Sequence, residues 1–227
     1  MEQLRLPIDD GEKKKSKPVV IAICGESASG KDTFLNKLMS RTHWYPFDVT
    51  NFPEYFEDCK IFYKSWHKIV SDTTRPPRLH EQAYVDYVFL SEEQFLSGIA
   101  QDLYFEWTKF NDWYYGIPKN RIQNDCVNVG VFNPDGIIQL LKRNDINLII
   151  VRIKTNFITR LYRSIKRENK IKKEYFRRAS TDVADFRKLQ RCLNLKKYKH
   201  YIEINGRQLN HGVNQVIDYL KTLRGQF

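Results

Sequence analysis

The chain has 227 residues, which is enough for one large domain with a substantial buried core. Apolar residues make up 41% and charged residues 29%, a balance typical of folded proteins, and no apolar run approaches the roughly 18 residues that a membrane span needs. The formal net charge of +11 suits nucleic acid, an anionic membrane surface or phosphate-rich small molecules as partners. Charge alone does not choose among these classes.

The start of the chain and its cysteines bear on the cellular compartment. The first sixteen residues are polar, lack the apolar segment of a secretory signal and are expected to form a disordered tail. The four cysteines, Cys24, Cys59, Cys126 and Cys192, are widely spaced, which favours neither a metal finger nor a disulfide framework. These features predict a cytoplasmic protein.

Strand and helix patterns alternate along most of the chain. Residues 19–24 form a short apolar run typical of a buried parallel strand, and residues 31–41 have helical spacing. Further strand candidates are residues 126–132, 147–153 and 200–205, with helical patterns between and after them. The alternation predicts an α/β fold with a parallel sheet and helices on both faces.

Two segments interrupt this alternation. Residues 71–116 mix prolines, aromatic residues and short strand patterns, which predicts a small strand-rich insertion. Residues 160–178 carry nine basic and two acidic side chains on helical patterns. The predicted division is a tail over 1–16 and one domain over 17–227, which comprises a core (17–47, 119–155 and 186–227), an insertion (48–118) and a helical lid (156–185).

The segment GESASGKDT, residues 25–33, follows the first strand and opens the first helix. Glycines at its two ends permit tight turns, so that backbone N–H groups can surround a phosphate, and the helix N-terminus adds positive potential. Lys31 is expected to bridge the β- and γ-phosphates of a nucleoside triphosphate. Because a strand precedes it and a helix follows it, the segment is predicted to be a phosphate-binding loop. The residues expected to bind the triphosphate are Gly25, Ala28, Ser29, Gly30, Lys31, Asp32 and Thr33.

Asp32 occupies the position where this loop usually carries Ser or Thr, and Thr33 follows one residue later. A carboxylate beside a triphosphate is repelled unless Mg²⁺ or its bound water lies between the two groups. We therefore expect Thr33 to be a phosphate or Mg²⁺ ligand, with Asp32 supporting it and holding the metal through water. The alternative is that Asp32 is a local cap or ion-pair partner.

A second phosphate site is predicted in the segment SDTTRPPRLHEQAYVDYVFLSEEQF, residues 71–95. Arg75 and Arg78 lie three residues apart on a proline-stiffened segment, and guanidinium groups suit bidentate phosphate binding. The hydroxyl of Tyr87 can add another donor. Since this cluster has no glycine loop, it suits the phosphate of an acceptor monophosphate.

These segments resemble the guanylate kinase family, whose members transfer the γ-phosphoryl group of ATP to GMP or dGMP. The likeness extends over roughly residues 18–223 and includes the segment YFEWTKFNDWYYG at 104–116. The resemblance implies a P-loop kinase fold with a nucleotide-binding insertion and a helical lid. It also implies ATP, GMP and dGMP as small-molecule substrates and Mg²⁺ as a cofactor, with neither nucleic acid nor a membrane as a partner. The residues of the second cluster that match the family are Thr73, Thr74, Arg75, Arg78, Glu81, Asp86, Tyr87 and Phe89.

The resemblance also implies roles for individual residues on the acceptor side. The GMP phosphate would be bound by Arg75, Arg78, Tyr87 and Tyr115, while Ser71 and Glu106 would contact the base. The chemistry agrees, because guanine presents N1–H and a 2-amino group that a carboxylate accepts together. Adenine presents an unprotonated N1 there, which would face the lone pairs of the carboxylate.

The basic segment would supply the lid. By the resemblance, Arg167 and Arg178 match the arginines that stabilise negative charge on the transferring phosphoryl group, with Arg163 and Arg177 as neighbours able to replace them. The predicted catalytic residues are Lys31, Arg75, Arg167 and Arg178.

Besides Asp32, several positions depart from the family pattern. Tyr84 stands where the family has glycine, so the turn there is expected to be built differently. Ile117 replaces a Ser or Thr that contacts guanine O6, and Val131 and Asn133 replace an acidic pair, with Asn128 or Asn133 available as a polar substitute. These departures keep open a kinase of broader deoxynucleoside monophosphate choice. A non-catalytic guanylate-kinase-like module is a further alternative, and no sequence pattern indicates an oligomeric state.

Overall fold

A computed structural model describes residues 17–43, 66–78, 81–110, 112–124, 126–168 and 173–223. The tail predicted over residues 1–16 lies outside these ranges. In chain order the elements are β1 (Val19–Cys24), α1 (Lys31–His43), β2 (Trp66–Lys68), β3 (Ser71–Thr73), β4 (Tyr87–Phe89), α2 (Glu92–Ala100), β5 (Tyr104–Phe110), β6 (Trp113–Pro118), β7 (Val127–Val131), α3 (Pro134–Leu140), β8 (Asn147–Lys154), α4 (Phe157–Glu168), α5 (Lys173–Leu195), β9 (Tyr201–Asn205) and α6 (Leu209–Thr222).

The core is a five-stranded sheet in the order β2-β7-β1-β8-β9, with every neighbouring pair parallel. Successive side chains of β1 point to opposite faces, as the period of a strand requires. Val20 and Ala22 join an apolar cluster that includes residues of α3 and α5, while Ile21 and Ile23 join a second cluster with residues of α1 and α6. The predicted parallel sheet with helices on both faces is confirmed.

The insertion forms its own four-stranded sheet in the order β4-β3-β6-β5. β3 pairs with β4 in parallel and with β6 antiparallel, and β5 and β6 form an antiparallel pair. β2 lies within the range 48–118 assigned to the insertion, yet it pairs in parallel with β7 of the core sheet. No strand was predicted there, because three residues are too few to show a strand pattern.

The two helices of the predicted lid differ in how they join the core. The second half of α5 is anchored, since Phe186, Leu189 and Leu193 are buried in the cluster that includes α3. An exposed ion pair between Lys188 and Asp135 of α3, 2.7 Å long, adds to this attachment. The first half of α5 carries Arg177 and Arg178 and lies nearer the insertion.

The carboxyl ends of three neighbouring strands bring the functional segments together. The glycine-rich segment follows β1, Asn133 follows β7 and Thr155 follows β8. In open parallel sheets this edge is where ligands bind. No helix of the described residues is long and apolar enough to cross a membrane.

Candidate active site

The phosphate loop has the tight backbone that its glycines predict. A side chain at Gly25 would place a Cβ atom 2.6 Å from the carbonyl oxygen of Ile153, and Gly30 has a φ of +104°, so both positions favour glycine. Lys31 folds back over the loop, where its Nζ donates to the carbonyls of Gly25 at 2.7 Å and Glu26 at 3.1 Å. Its ammonium group therefore lies over the space that the loop encloses.

The far side of the loop is held through the carbonyl of Ser29. This oxygen accepts from the hydroxyl of Thr155 at 2.9 Å and from Nη1 of Arg163 at 2.8 Å. Nη2 of Arg163 donates to the carbonyl of Gly206 at 2.8 Å. Arg163 is thus committed to the loop backbone, which differs from the predicted option that it replaces a lid arginine.

Asp32 and Thr33 lie in the first turn of α1, and both are exposed. The pKa of the Tyr87 hydroxyl is raised, first by burial and then by the negative charge of Asp32. The charge of Asp32 in the first turn of α1 therefore acts on Tyr87 of the predicted acceptor cluster.

The predicted acceptor cluster is assembled around Glu81. Nη2 of Arg75 donates to both carboxylate oxygens of Glu81 at 2.9 Å, and the backbone N–H of Arg78 donates to Oε2 at 2.9 Å. The guanidinium of Arg75 lies over the ring of Tyr87, 5.4 Å from its centroid, and the rings of Tyr87 and Tyr115 are 6.2 Å apart. The structure therefore brings Arg75, Arg78, Tyr87 and Tyr115 together as predicted.

Glu106 is the residue predicted to contact the base of the acceptor. It extends from β5, is only 6% exposed, and no described residue forms an ion pair or hydrogen bond with its carboxylate. Burial raises the pKa of Glu106 to about 8, from an ordinary value of 4.5. A Cβ atom on Gly136 would come within 2.4 Å of its Oε2, so the glycine in α3 makes room for the carboxylate.

The polar substitutes considered for the missing acidic pair have different roles. Asn128 is fully buried, and its amide binds backbone groups of Gln123, Val19 and Cys126 at 2.8–3.2 Å, so it is structural. Asn133 donates to the hydroxyl of Thr108 at 3.1 Å, on the same strand as Glu106. Of the two asparagines, Asn133 is therefore the one that contacts the strand of Glu106.

The other positions that depart from the family pattern each have a local structural description. Tyr84 has a φ of +64° and donates its N–H to the carbonyl of Tyr87 at 2.8 Å. Tyr84 thus adopts the left-handed conformation that glycine favours, although it carries a side chain. Ile117 is fully buried in the core, and Val131 ends β7. Ser71 begins β3 opposite Tyr87, at the edge of the acceptor cluster.

The lid residues are only partly described. The side chain of Arg167 lies outside the described residues, and Arg178 is half-buried in α5. Arg177 forms an exposed ion pair with Asp112 of the insertion at 3.2 Å, so it joins the lid to the insertion. Sequence analysis did not identify the bridging role of Glu81, although the spacing Arg-x-x-Arg-x-x-Glu was a usable signal.

Comparisons with known proteins agree with this geometry. The family model described as guanylate kinase matches residues 60–223, a stretch that begins after the phosphate loop. Among curated relatives, a guanylate kinase of Onion yellows phytoplasma is 37% identical over 112 residues, covering 49% of this chain and 43% of that protein. A guanylate kinase of Mycoplasma genitalium is 25% identical over 155 residues, covering 66% of this chain and 56% of that protein.

The likeness to solved structures concerns the fold. The crystal structure of guanylate kinase from Anaplasma phagocytophilum superimposes with a TM-score of 0.60 at 18% identity, covering 93% of this chain and 88% of that one. The matched segments span about half the length of the curated relatives. Because the family model covers well over half of the chain, the protein belongs to the guanylate kinase family.

Proposed function

We propose that the protein transfers the γ-phosphoryl group of ATP to GMP or dGMP. The observation that carries this proposal is the buried carboxylate of Glu106, which belongs to the same four-stranded insertion sheet as Tyr87 of the cluster with Arg75 and Arg78. A nucleoside monophosphate has a base and a phosphate at its two ends. Phosphate matches the arginines, and the N1–H and 2-amino groups of guanine match the carboxylate.

The ATP side is supported by a cavity of about 690 Å³ next to the phosphate loop, a volume in the range of ligand sites. Arg163 donates to the carbonyl of Ser29 in the loop and to that of Gly206 in the cavity lining, so it joins the cavity to the loop. On nucleotide binding, Lys31 would exchange its two carbonyl partners for phosphate oxygens. The cavity is lined by Lys37, Arg163, Gly206, Arg207, Gln208, Leu209, Asn210 and His211.

The residues present fit Mg²⁺ as a cofactor. Thr33 and Asp32 supply a hydroxyl and a carboxylate in the first turn after the loop, and Mg²⁺ prefers such oxygen ligands while keeping several waters. We propose Thr33 as the ligand and Asp32 as a holder of metal-bound water. Mg²⁺, when bound, neutralises part of the phosphate charge.

Phosphoryl transfer requires the protein to align two phosphates and to spread positive charge over them. Arg75 and Arg78 would hold the acceptor phosphate, while Lys31 acts on the transferring group from the other side. The arginines Arg167 and Arg178 would complete this charge when the lid closes and excludes water. No covalent intermediate is needed, because the acceptor phosphate oxygen is itself the nucleophile.

The proposed reaction belongs in the cytoplasm. Cys24 and Cys192 are free thiols, which suits a reducing compartment.

The test is a coupled assay of ADP release with ATP, Mg²⁺ and a panel of GMP, dGMP, AMP, dAMP, dTMP, UMP and CMP. We expect turnover confined to GMP and dGMP, and its loss in Lys31→Ala. Lys142→Ala, which changes an exposed lysine just after α3 and away from this cavity, is the matched control for a general effect of charge. Turnover spread over several bases would contradict the role of Glu106, and silence with the whole panel would contradict the kinase itself.

A further inference from the structure

A buried ion pair connects the phosphate loop to both lid helices. Asp182 of α5 accepts a hydrogen bond from the backbone N–H of Ser27 at 2.7 Å. The same carboxylate oxygen lies 3.8 Å from Nη1 of Arg160, which extends from α4. Arg160 is 7% exposed and Asp182 6% exposed, so both charges are removed from water. Neither residue was singled out by its sequence pattern or given a role in the proposed reaction.

The position of Asp182 in its helix gives this contact a consequence. Asp182 follows Arg178 by four residues, so the two side chains lie on one face of α5, about 6 Å apart along the axis. From Phe186 onward, the buried face of the helix is packed into the core. Asp182 therefore lies where the core-anchored half of α5 meets the half that carries the lid arginine.

A contribution to stability alone explains this ion pair poorly. Burying two charges costs several kcal/mol, and apolar pairs of similar volume often stabilise a protein as well or better. Nε and Nη1 of Arg160 and the hydroxyl of the buried Tyr175 have no hydrogen-bond partner among the described residues, so the polar pocket is not optimally satisfied. The specific gain of the arrangement is the hydrogen bond from Ser27, which fixes the backbone of the phosphate loop.

We infer that Asp182 is a positioning residue for the phosphate loop, whose carboxylate fixes the Ser27 amide to α5 and sets the place of the loop relative to Arg178. This inference rests on the proposed binding of ATP at the loop. Arg160 neutralises the carboxylate, so that the loop keeps its attraction for phosphate. Arg163 holds the loop from the opposite side through Ser29, which leaves Ser27 as the segment that depends on Asp182.

The test uses two double variants that remove both charges together, since a single substitution would leave a buried charge unpaired. Arg160→Met/Asp182→Asn keeps a side-chain acceptor for the Ser27 N–H, and Arg160→Met/Asp182→Leu removes it. We expect the dissociation constant of ATP·Mg²⁺, measured by calorimetry, to stay within threefold of wild type in the Asn variant. In the Leu variant we expect it to rise about tenfold, with the melting temperature unchanged or higher and the KM for GMP within twofold.

Asp185→Asn is the matched control, because it removes a carboxylate from the same helix one turn further on. Equal ATP affinity in the two double variants would overturn the inference, as would a parallel rise in the KM for GMP. If the wild type binds ATP·Mg²⁺ but phosphorylates no nucleotide of the panel, the proposed reaction fails while the ATP affinities still decide the role of Asp182. If the wild type binds no ATP·Mg²⁺, both the proposed reaction and the inference about Asp182 are wrong.

Discussion

The predicted acceptor site has a phosphate end and a base end, and they differ in whether their buried charged group has a partner. At the phosphate end, Arg75 is buried, and its guanidinium donates two hydrogen bonds of 2.9 Å to the carboxylate of Glu81. The same carboxylate accepts a hydrogen bond from the backbone N–H of Arg78. At the base end, Glu106 is equally buried, yet no described residue provides a countercharge or a hydrogen bond. The charged groups of the phosphate end are therefore already paired without a ligand, whereas Glu106 would obtain hydrogen-bond partners only from the ligand.

Because of this difference, we expect the phosphate end to contribute mainly to affinity for the monophosphate and the base end mainly to selectivity for the base. A cluster that is already paired holds its arginines in place, so that binding a phosphate requires little ordering of side chains. Burial without a partner destabilises the charged form of an acid and therefore raises its pKa. The guanine edge supplies two donors that would stabilise the charged form of the acid, whereas the unprotonated N1 of adenine supplies no donor to it. Substitutions at the two ends are therefore expected to have different signatures.

The largest effect is expected at the phosphate end. Arg75→Gln removes a charged, forked donor from the acceptor phosphate, and we expect kcat/KM for GMP to fall about 1000-fold, since hydrogen bonds to charged groups contribute roughly 1.5–3 kcal/mol each. The KM for ATP should change by less than about threefold. Arg121→Gln is the control, because Arg121, just after the insertion, is paired with Asp72 at 2.8 Å, apart from the acceptor cluster. A fall below tenfold in a folded Arg75→Gln variant would contradict the assignment.

The base end should be visible in the pH dependence of stability. Because the pKa of Glu106 is about 8 in the folded protein and ordinarily 4.5, the folded state keeps a proton that the unfolded chain releases. The stability that the neutral group contributes is full below pH 4.5 and is lost as the pH rises to about 8. Glu106→Gln cannot ionise, so we expect its free energy of unfolding to exceed that of the wild type by roughly 4–5 kcal/mol at pH 9.

Thermal unfolding without nucleotide measures this effect. The melting temperature of Glu106→Gln should lie roughly 10 °C above the wild type at pH 9 and within about 2 °C of it at pH 5. Asp145→Asn is a suitable control, since the hydrogen bond with Arg143 lowers the pKa of Asp145 instead of raising it. Parallel pH profiles of the wild type and Glu106→Gln would show that the carboxyl group ionises normally.

A smaller effect is expected on the choice of base. The amide in Glu106→Gln offers one donor and one acceptor, which suits the N1 and 6-amino groups of adenine better than the two donors of guanine. We expect the ratio of kcat/KM for GMP to that for AMP to fall about 100-fold. The same ratio should stay constant in Asp145→Asn. An unchanged ratio in Glu106→Gln would assign base selection to other residues, with Asn133 and Thr108 as the neighbours to test.

The parts of the molecule that sequence predicts well are those with local signals. The apolar run of β1 and the glycine spacing of the loop lie within fifteen consecutive residues, and both were predicted with their neighbouring helix. The pKa of Glu106 was not predictable, because it depends on burial and on the absence of cations from distant segments. The hydrogen bond from Ser27 to Asp182 joins residues 155 positions apart, and no local pattern announces it.

The mildest expected effect concerns the turn that supports the phosphate end. Tyr84 is 77% exposed and has a φ of +64°, a conformation that disfavours side chains by about 1–2 kcal/mol. Tyr84→Gly removes that strain but gives the unfolded chain more freedom, so we expect a net gain in stability of about 0.5–1 kcal/mol and a melting temperature about 2–3 °C higher.

Val85→Gly is the control, because it changes the next residue, which is also exposed and has no positive φ, and it should lower the melting temperature instead. Activity toward GMP should be unchanged in both variants, because the N–H of residue 84 still donates to the carbonyl of Tyr87. A loss of stability in Tyr84→Gly would mean that contacts of the tyrosine ring outweigh the backbone strain, and the phosphate end would then depend on this side chain as well as on Glu81.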